Sequence, residues 1–146
     1  MSERRKHTRI KICGLSRSCD IEYVNKAKPD YCGFIINCPK SIRNVSLEQV
    51  KQLVQNLDSA VIPVGVFVNE PMEHILHGIA EGLFTHVQLH GKEDDAYIRQ
   101  LRESADRDIT VIKAFSISDE ASVKRAVESS ADYVLLDNGA GGTGQS

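Results

Sequence analysis

The residues able to do chemistry stand at the ends of short apolar runs. Lys11 and Cys13 close the run Arg9–Cys13, which continues into Gly14. His86, Gln88 and His90 alternate with Val87 and Leu89 in the run Thr85–His90. Lys113 lies in Ile109–Ala114, and Asp137 ends Asp132–Asp137 directly after Val134-Leu135-Leu136. Arg43 sits in the polar stretch Asn37-Cys38-Pro39-Lys40-Ser41-Ile42-Arg43. A carboxyl group that ends an apolar run is partly desolvated, which suits Asp137 to proton donation, although an Asp there also caps turns. A thiol in the position of Cys13 is either a small buried group or a reactive one. Arg43 is either a solvated loop charge or a partner for an anion. His86 and His90 have the spacing of a metal pair on a helix. On a strand they stand about 13 Å apart, so no metal site is expected and one of them reads as an interior group. The tail Gly139-Ala140-Gly141-Gly142-Thr143-Gly144-Gln145-Ser146 approaches a phosphate-binding P-loop but has Gln145 where the lysine belongs. It reads instead as a glycine loop whose N–H groups can face an anion.

The elements that must position these groups repeat. Apolar, β-branched runs begin at residues 9, 31, 61, 85, 109 and 132, at intervals of 22, 30, 24, 24 and 23 residues. Helical periodicity lies between them. Leu47, Val50, Leu53, Val54 and Leu57 share one helical face, and so do Met72, Ile75, Leu76, Ile79 and Leu83. Ser46-Leu47-Glu48-Gln49 reads as a capping box. Pro71, just after Asn69, suits a first helical turn, and Asp119 and Glu120 suit the positive end of a helix dipole. The run Val61–Val68 is apolar on both faces, as in a parallel sheet covered on both sides, with Pro63 expected near its start. A β-α unit repeated six times is an α/β fold, either an open doubly wound sheet or part of a (βα)8 barrel. In both, functional groups gather at the C-terminal ends of the strands. Strand alternation puts Lys11 with Cys13, and His86 with Gln88 and His90, on faces opposite the apolar residues that meet the helices.

Composition narrows the function. The 146 residues carry 18 Lys and Arg against 20 Asp and Glu, a net charge of −2, so no basic face for nucleic acid is demanded. Hydrophobic residues make up 41% and charged residues 26%, enough for a packed core. No apolar run approaches membrane-spanning length, and the start lacks the apolar segment of a secretory signal. The four cysteines, at 13, 19, 32 and 38, form no C-x-x-C pair and are expected as free thiols in a cytoplasmic protein.

Taken in order, these segments resemble the phosphoribosylanthranilate isomerase family of tryptophan biosynthesis. The resemblance is carried by Lys11-Ile12-Cys13-Gly14-Leu15 with Asp20, by Tyr31-Cys32-Gly33-Phe34-Ile35, and by Ser41-Ile42-Arg43-Asn44-Val45. It continues through Val64-Gly65-Val66-Phe67-Val68-Asn69, Val87-Gln88-Leu89-His90-Gly91, Leu135-Leu136-Asp137 and Gly141-Gly142-Thr143-Gly144. Ile36 and Ile42 depart from it, where Phe and Pro are common. The resemblance implies a (βα)8 (TIM) barrel and an intramolecular oxidoreductase that interconverts aldose and ketose. The reaction would be the Amadori rearrangement of N-(5-phosphoribosyl)anthranilate to 1-(2-carboxyphenylamino)-1-deoxyribulose 5-phosphate, with no metal or organic cofactor. It further implies Cys13 as general base, Asp137 as general acid and Arg43 as partner of the anthranilate carboxylate. Lys11 would lower the thiol pKa of Cys13, and Gln88 and His90 would line the substrate pocket. Gly141, Gly142 and Gly144 would face the phosphate. Indole-glycerol-phosphate synthase, another phosphosugar barrel, fits less well because its lysine and glutamate pattern at the strand ends is not matched.

A (βα)8 barrel typically needs at least about 200 residues. Residues 1–146 are therefore expected to form a partial barrel domain, with strands one to six and the glycine loop after the sixth. A C-terminal fragment or a second copy of the chain is the expected partner that completes it, and no nucleic acid or membrane is expected. The competing expectation is an inactive or split-barrel fragment.

Overall fold

The computed structural model describes residues 7–138. Six strands alternate with five helices: β1 (Lys11–Cys13), α1 (Ser18–Ala27), β2 (Tyr31–Ile35), α2 (Leu47–Val54), β3 (Ile62–Phe67), α3 (Met72–Ala80), β4 (His86–Leu89), α4 (Asp95–Ser104), β5 (Thr110–Ser116), α5 (Glu120–Val127) and β6 (Tyr133–Asp137). The strands form one parallel sheet in the order β1-β2-β3-β4-β5-β6. Consecutive parallel neighbours joined by helices make a partial (βα)8 barrel rather than a doubly wound sheet, whose strand order reverses at a switch point. No described helix is long and apolar enough to cross a membrane.

The register separates two faces. Cys32 and Phe34 on β2, Phe67 on β3, Val87 and Leu89 on β4 and Val111 on β5 are all fully buried. They pack into one core with Val50 of α2, Ile75 and Ile79 of α3, and Ile98 and Leu101 of α4. The opposite face carries Lys11, Cys13, Gln88, Leu135 and Asp137, as strand alternation predicts. Pro63 is the second residue of β3, near its start as expected.

Local signals explain the helix ends. Ser46 caps α2: its hydroxyl accepts from the Gln49 N–H at 3.1 Å, and the Gln49 side chain accepts from the Ser46 N–H at 2.8 Å. Asp119 caps α5 by accepting from the Ser122 N–H at 2.8 Å. Pro71 is the cap residue of α3 rather than its first helical residue. Both α2 and α3 stop short of the last apolar residues of their stripes. Gly82 turns the chain at φ +74°, and the Leu83 N–H returns to the Gly78 carbonyl at 3.1 Å. Leu83 thus reaches the core from outside the helix.

β6 differs from the other strands. Tyr133, Val134, Leu135 and Leu136 are all exposed, Leu136 to 62%. On β1, Ile12 is 40% exposed, and Ile10 just before it is 56% exposed.

Candidate active site

The end of β1 is built around two close approaches. A Cβ placed on Gly33 would lie 2.7 Å from Cys13 Sγ, so the sulfur occupies space that only a glycine leaves free. Gly14 has φ +88°, and a Cβ on it would lie 2.6 Å from Arg43 Cδ. The Arg43 side chain therefore lies along the backbone that follows Cys13, with Nη1 3.5 Å from the Cys13 carbonyl oxygen. Its loop is tied down at both ends. The Cys38 N–H donates to Asn44 Oδ1 at 2.7 Å, and Ile36 bridges to Val45. The guanidinium itself stays exposed and able to meet an anion.

A chain of polar groups crosses the same sheet face from β1 to β6. Lys11 Nζ donates to Gln88 Oε1. Gln88 Nε2 lies 3.1 Å from His90 Nδ1, and His90 Nε2 lies 3.3 Å from Asp137 Oδ2. Gln88 is buried, and the Asp137 side chain is 20% exposed. Burial pushes the Lys11 amine below the ordinary lysine value, while the charge on nearby Cys13 opposes that shift. At the N-terminal side of this face Arg9 donates to the hydroxyls of Tyr31, at 3.0 Å, and Tyr133, at 2.8 Å. The sheet curls enough for one side chain to span β2 and β6.

Two clefts open at the C-terminal ends of the strands. One, of about 540 Å³, includes His90, Ser116 and Asp137 in its lining. The other, of about 460 Å³, includes Cys13, Gly14, Arg17 and Arg43. Lys11, Gln88, His90 and Asp137 thus form one bonded group, and Cys13 and Arg43 form a second. Gly141, Gly142 and Gly144 lie outside the described residues. His86 belongs to neither group. It packs on the Tyr31 ring at 5.6 Å, and burial holds its pKa below the ordinary histidine value.

Strand-end position alone also singled out Lys113, and the structure places it on the helix-facing side. β5 runs on to Ser116, so Lys113 lies mid-strand in register with Leu89. It is buried, donates to the Gly91 carbonyl at 2.6 Å and pairs with Glu93 at 3.4 Å. Glu93 in turn accepts from the Gly91 N–H at 2.8 Å and the Asn69 N–H at 3.0 Å, and Asn69 Oδ1 accepts from the Lys92 N–H at 2.6 Å. This network holds the turn that carries His90. Glu93 hides in the acidic run Glu93-Asp94-Asp95, where nothing marks which carboxylate turns inward.

The arrangement offers a thiol and a carboxyl group on one sheet face, with a guanidinium beside the thiol. That set can move protons on a small anionic substrate. The profile of the N-(5'-phosphoribosyl)anthranilate (PRA) isomerase family matches residues 10–146. The chain belongs to the PRA isomerase family. Its relatives include the PRA isomerase of Clostridium kluyveri, 39% identical over 137 residues that cover 94% of this chain and 65% of the relative. That of Clostridium beijerinckii is 36% identical over 140 residues, covering 93% and 60%. Among solved structures, the PRA isomerase of Thermotoga maritima superposes with a TM-score of 0.77 at 35% identity, covering 90% of this chain and 62% of that one. The Thermus thermophilus enzyme gives 0.79 at 31%, covering 95% and 66%. The chain thus spans under two thirds of the length of these PRA isomerases. The matched region contains Lys11, Cys13, Arg43, Gln88, His90 and Asp137.

Proposed function

We propose that this chain carries the acid and base of a PRA isomerase, an enzyme of tryptophan biosynthesis acting in the cytoplasm. The reaction is the Amadori rearrangement of N-(5-phosphoribosyl)anthranilate to 1-(2-carboxyphenylamino)-1-deoxyribulose 5-phosphate. The observation that carries the reading is the match to the family across residues 10–146, with Cys13 and Asp137 on one sheet face. A related structure holding reduced 1-(o-carboxyphenylamino)-1-deoxyribulose 5-phosphate supports the same substrate class.

In this reading Asp137 gives its proton to the ribose ring oxygen. The ring opens, and the anthranilate nitrogen carries C1′ as a protonated Schiff base. The Cys13 thiolate then removes the C2′ proton, and the C2′–H electron pair neutralises the iminium to give an enolamine. Tautomerisation of the enolamine yields the ketone. Lys11 lies on the same sheet face as Cys13. Arg43 pairs with the anthranilate carboxylate, for which its planar fork is well shaped. Gly141, Gly142 and Gly144 supply N–H groups toward the phosphate.

Completion of the barrel belongs to the same proposal. Val134 and Leu136 on β6, with Ile10 and Ile12 at β1, expose apolar surface beside the outer strands of the sheet. A C-terminal segment, or a second copy of the chain, would cover them. The test is conversion of N-(5-phosphoribosyl)anthranilate by the chain alone and with the remaining βα units supplied as a separate polypeptide. Product in either arm supports the reading. No product in both, with the chain folded, favours a non-catalytic fragment.

A further inference from the structure

The Lys11–Gln88–His90–Asp137 chain has a direction that its first member dictates. A lysine ammonium has only donors, so the atom of Gln88 facing Lys11 must be its carbonyl oxygen. The amide nitrogen is then left to face His90. It too has only donors, so His90 Nδ1, 3.1 Å away, must accept and carry no proton. The proton of a neutral imidazole then resides on Nε2, which points at Asp137 Oδ2 at 3.3 Å and donates to it. An imidazolium would place an N–H against the Gln88 amide and lose that bond. Gln88 is 2% exposed, so water does not compete for its amide.

We propose that Gln88 is a positioning residue: oriented by Lys11, it locks His90 in the Nε2–H tautomer, and His90 in turn orients and hydrogen-bonds the Asp137 carboxyl group. This rests on the proposed function and deepens it. It replaces the pocket-lining role expected for Gln88 by an indirect one. When Asp137 gives up its proton, the bond from His90 becomes charge-assisted and strengthens, which assists the donation. Oδ2 is occupied by His90, so Oδ1 is the oxygen free to carry the proton toward substrate.

The direct test reads the His90 tautomer in this chain by long-range nitrogen–proton NMR on histidine-labelled protein, without reference to turnover. The expected result is a single neutral Nε2–H pattern for His90. In Gln88→Glu the carboxylate between Lys11 and His90 can only accept, so the pattern should change to one with Nδ1 protonated. Lys11→Met is the second variant. It lies at a half-buried site, frees the Gln88 amide to turn over, and should give a mixture of tautomers. A wild-type His90 protonated on Nδ1, or a pattern identical in wild type and Lys11→Met, overturns the proposal whether or not the chain turns over substrate. In the completed enzyme, Gln88→Leu should lower kcat about tenfold with KM held within twofold. A raised KM with unchanged kcat would instead assign Gln88 to substrate binding and also overturn the proposal. Absence of turnover in wild type, with the NMR pattern as expected, would sink the isomerase reading and leave the tautomer lock standing.

Discussion

Cys13 Sγ rests where a side chain on Gly33 would be, 2.7 Å from the Cβ position of that residue. The pair is set by register: Cys13 and Gly33 are directly opposed on β1 and β2. A missing side chain on β2 therefore creates the seat for the thiol, and this has a measurable consequence.

Gly33→Ala forces the sulfur or the strand to move, because the neighbouring atoms include the Cys13 backbone. Overpacking of this kind costs about 1–3 kcal/mol. A displacement of about 1 Å at a reacting group can cost on the order of 100-fold in rate. Thermal denaturation should show the modest loss and the isomerase assay the large one. Equal, small losses in both would mean that the thiol position does not matter.

Arg43 lies along Gly14 with its guanidinium exposed. Arg43→Ala should raise KM about 10- to 100-fold and leave kcat nearly unchanged, as expected for a charge-assisted contact of about 1.5–3 kcal/mol made equally in ground and transition states. An unchanged KM removes Arg43 from the carboxylate site.

The Glu93–Lys113 pair is buried on both sides and bonded to the turn after β4. Removing one partner, as in Lys113→Met, leaves a buried charge unpaired and should cost about 3–5 kcal/mol in urea unfolding. The double replacement Glu93→Gln with Lys113→Met should be less destabilised than the sum of the single changes. Strict additivity would show that the two residues do not act as a pair.

Asp20 at the start of α1 is held at about 2, first by the Arg17 side chain and then by the Ser16 N–H. A depressed carboxyl pKa contributes stability above the unfolded value near 4, and that contribution is lost as pH falls from about 4 to about 2. Wild type should exceed Asp20→Asn by about 1 kcal/mol at pH 7, with the gap closing across that window. A gap independent of pH would contradict the ion-pair origin.

Thiol reactivity should separate the cysteines. Cys32 is fully buried, and burial pushes its thiol up to about 12, whereas Cys13, Cys19 and Cys38 are partly exposed. At pH 8 iodoacetamide should label Cys13, Cys19 and Cys38, with Cys32 modified only after denaturation. Labelling of Cys32 in the folded chain would contradict this packing.

The sequence legibly carried the six-fold β-α repeat, because apolar, β-branched strand runs and amphipathic helices leave distinct periodicities. The alternation that grouped Lys11 with Cys13, and Gln88 with His90, follows from the same geometry. Three things were not legible. The side taken by Lys113 could not be read, because Val111-Ile112-Lys113-Ala114 shows no alternation that separates the two faces of β5. The partner of Asp137 could not be read because His90 and Asp137 are 47 residues apart and meet through the curl of the sheet. Glycine spacing likewise gives no sign that Gly33 seats a thiol, since the contact lies between strands.

The central claim is that Cys13 and Asp137 are the proton-transfer pair of a PRA isomerase. Its most direct test is kcat/KM for N-(5-phosphoribosyl)anthranilate in the completed enzyme, comparing wild type with Cys13→Ala and Asp137→Asn. The account predicts losses of about 100- to 10,000-fold in each variant, with the fold intact by circular dichroism. Turnover by Cys13→Ala within a few-fold of wild type would contradict it.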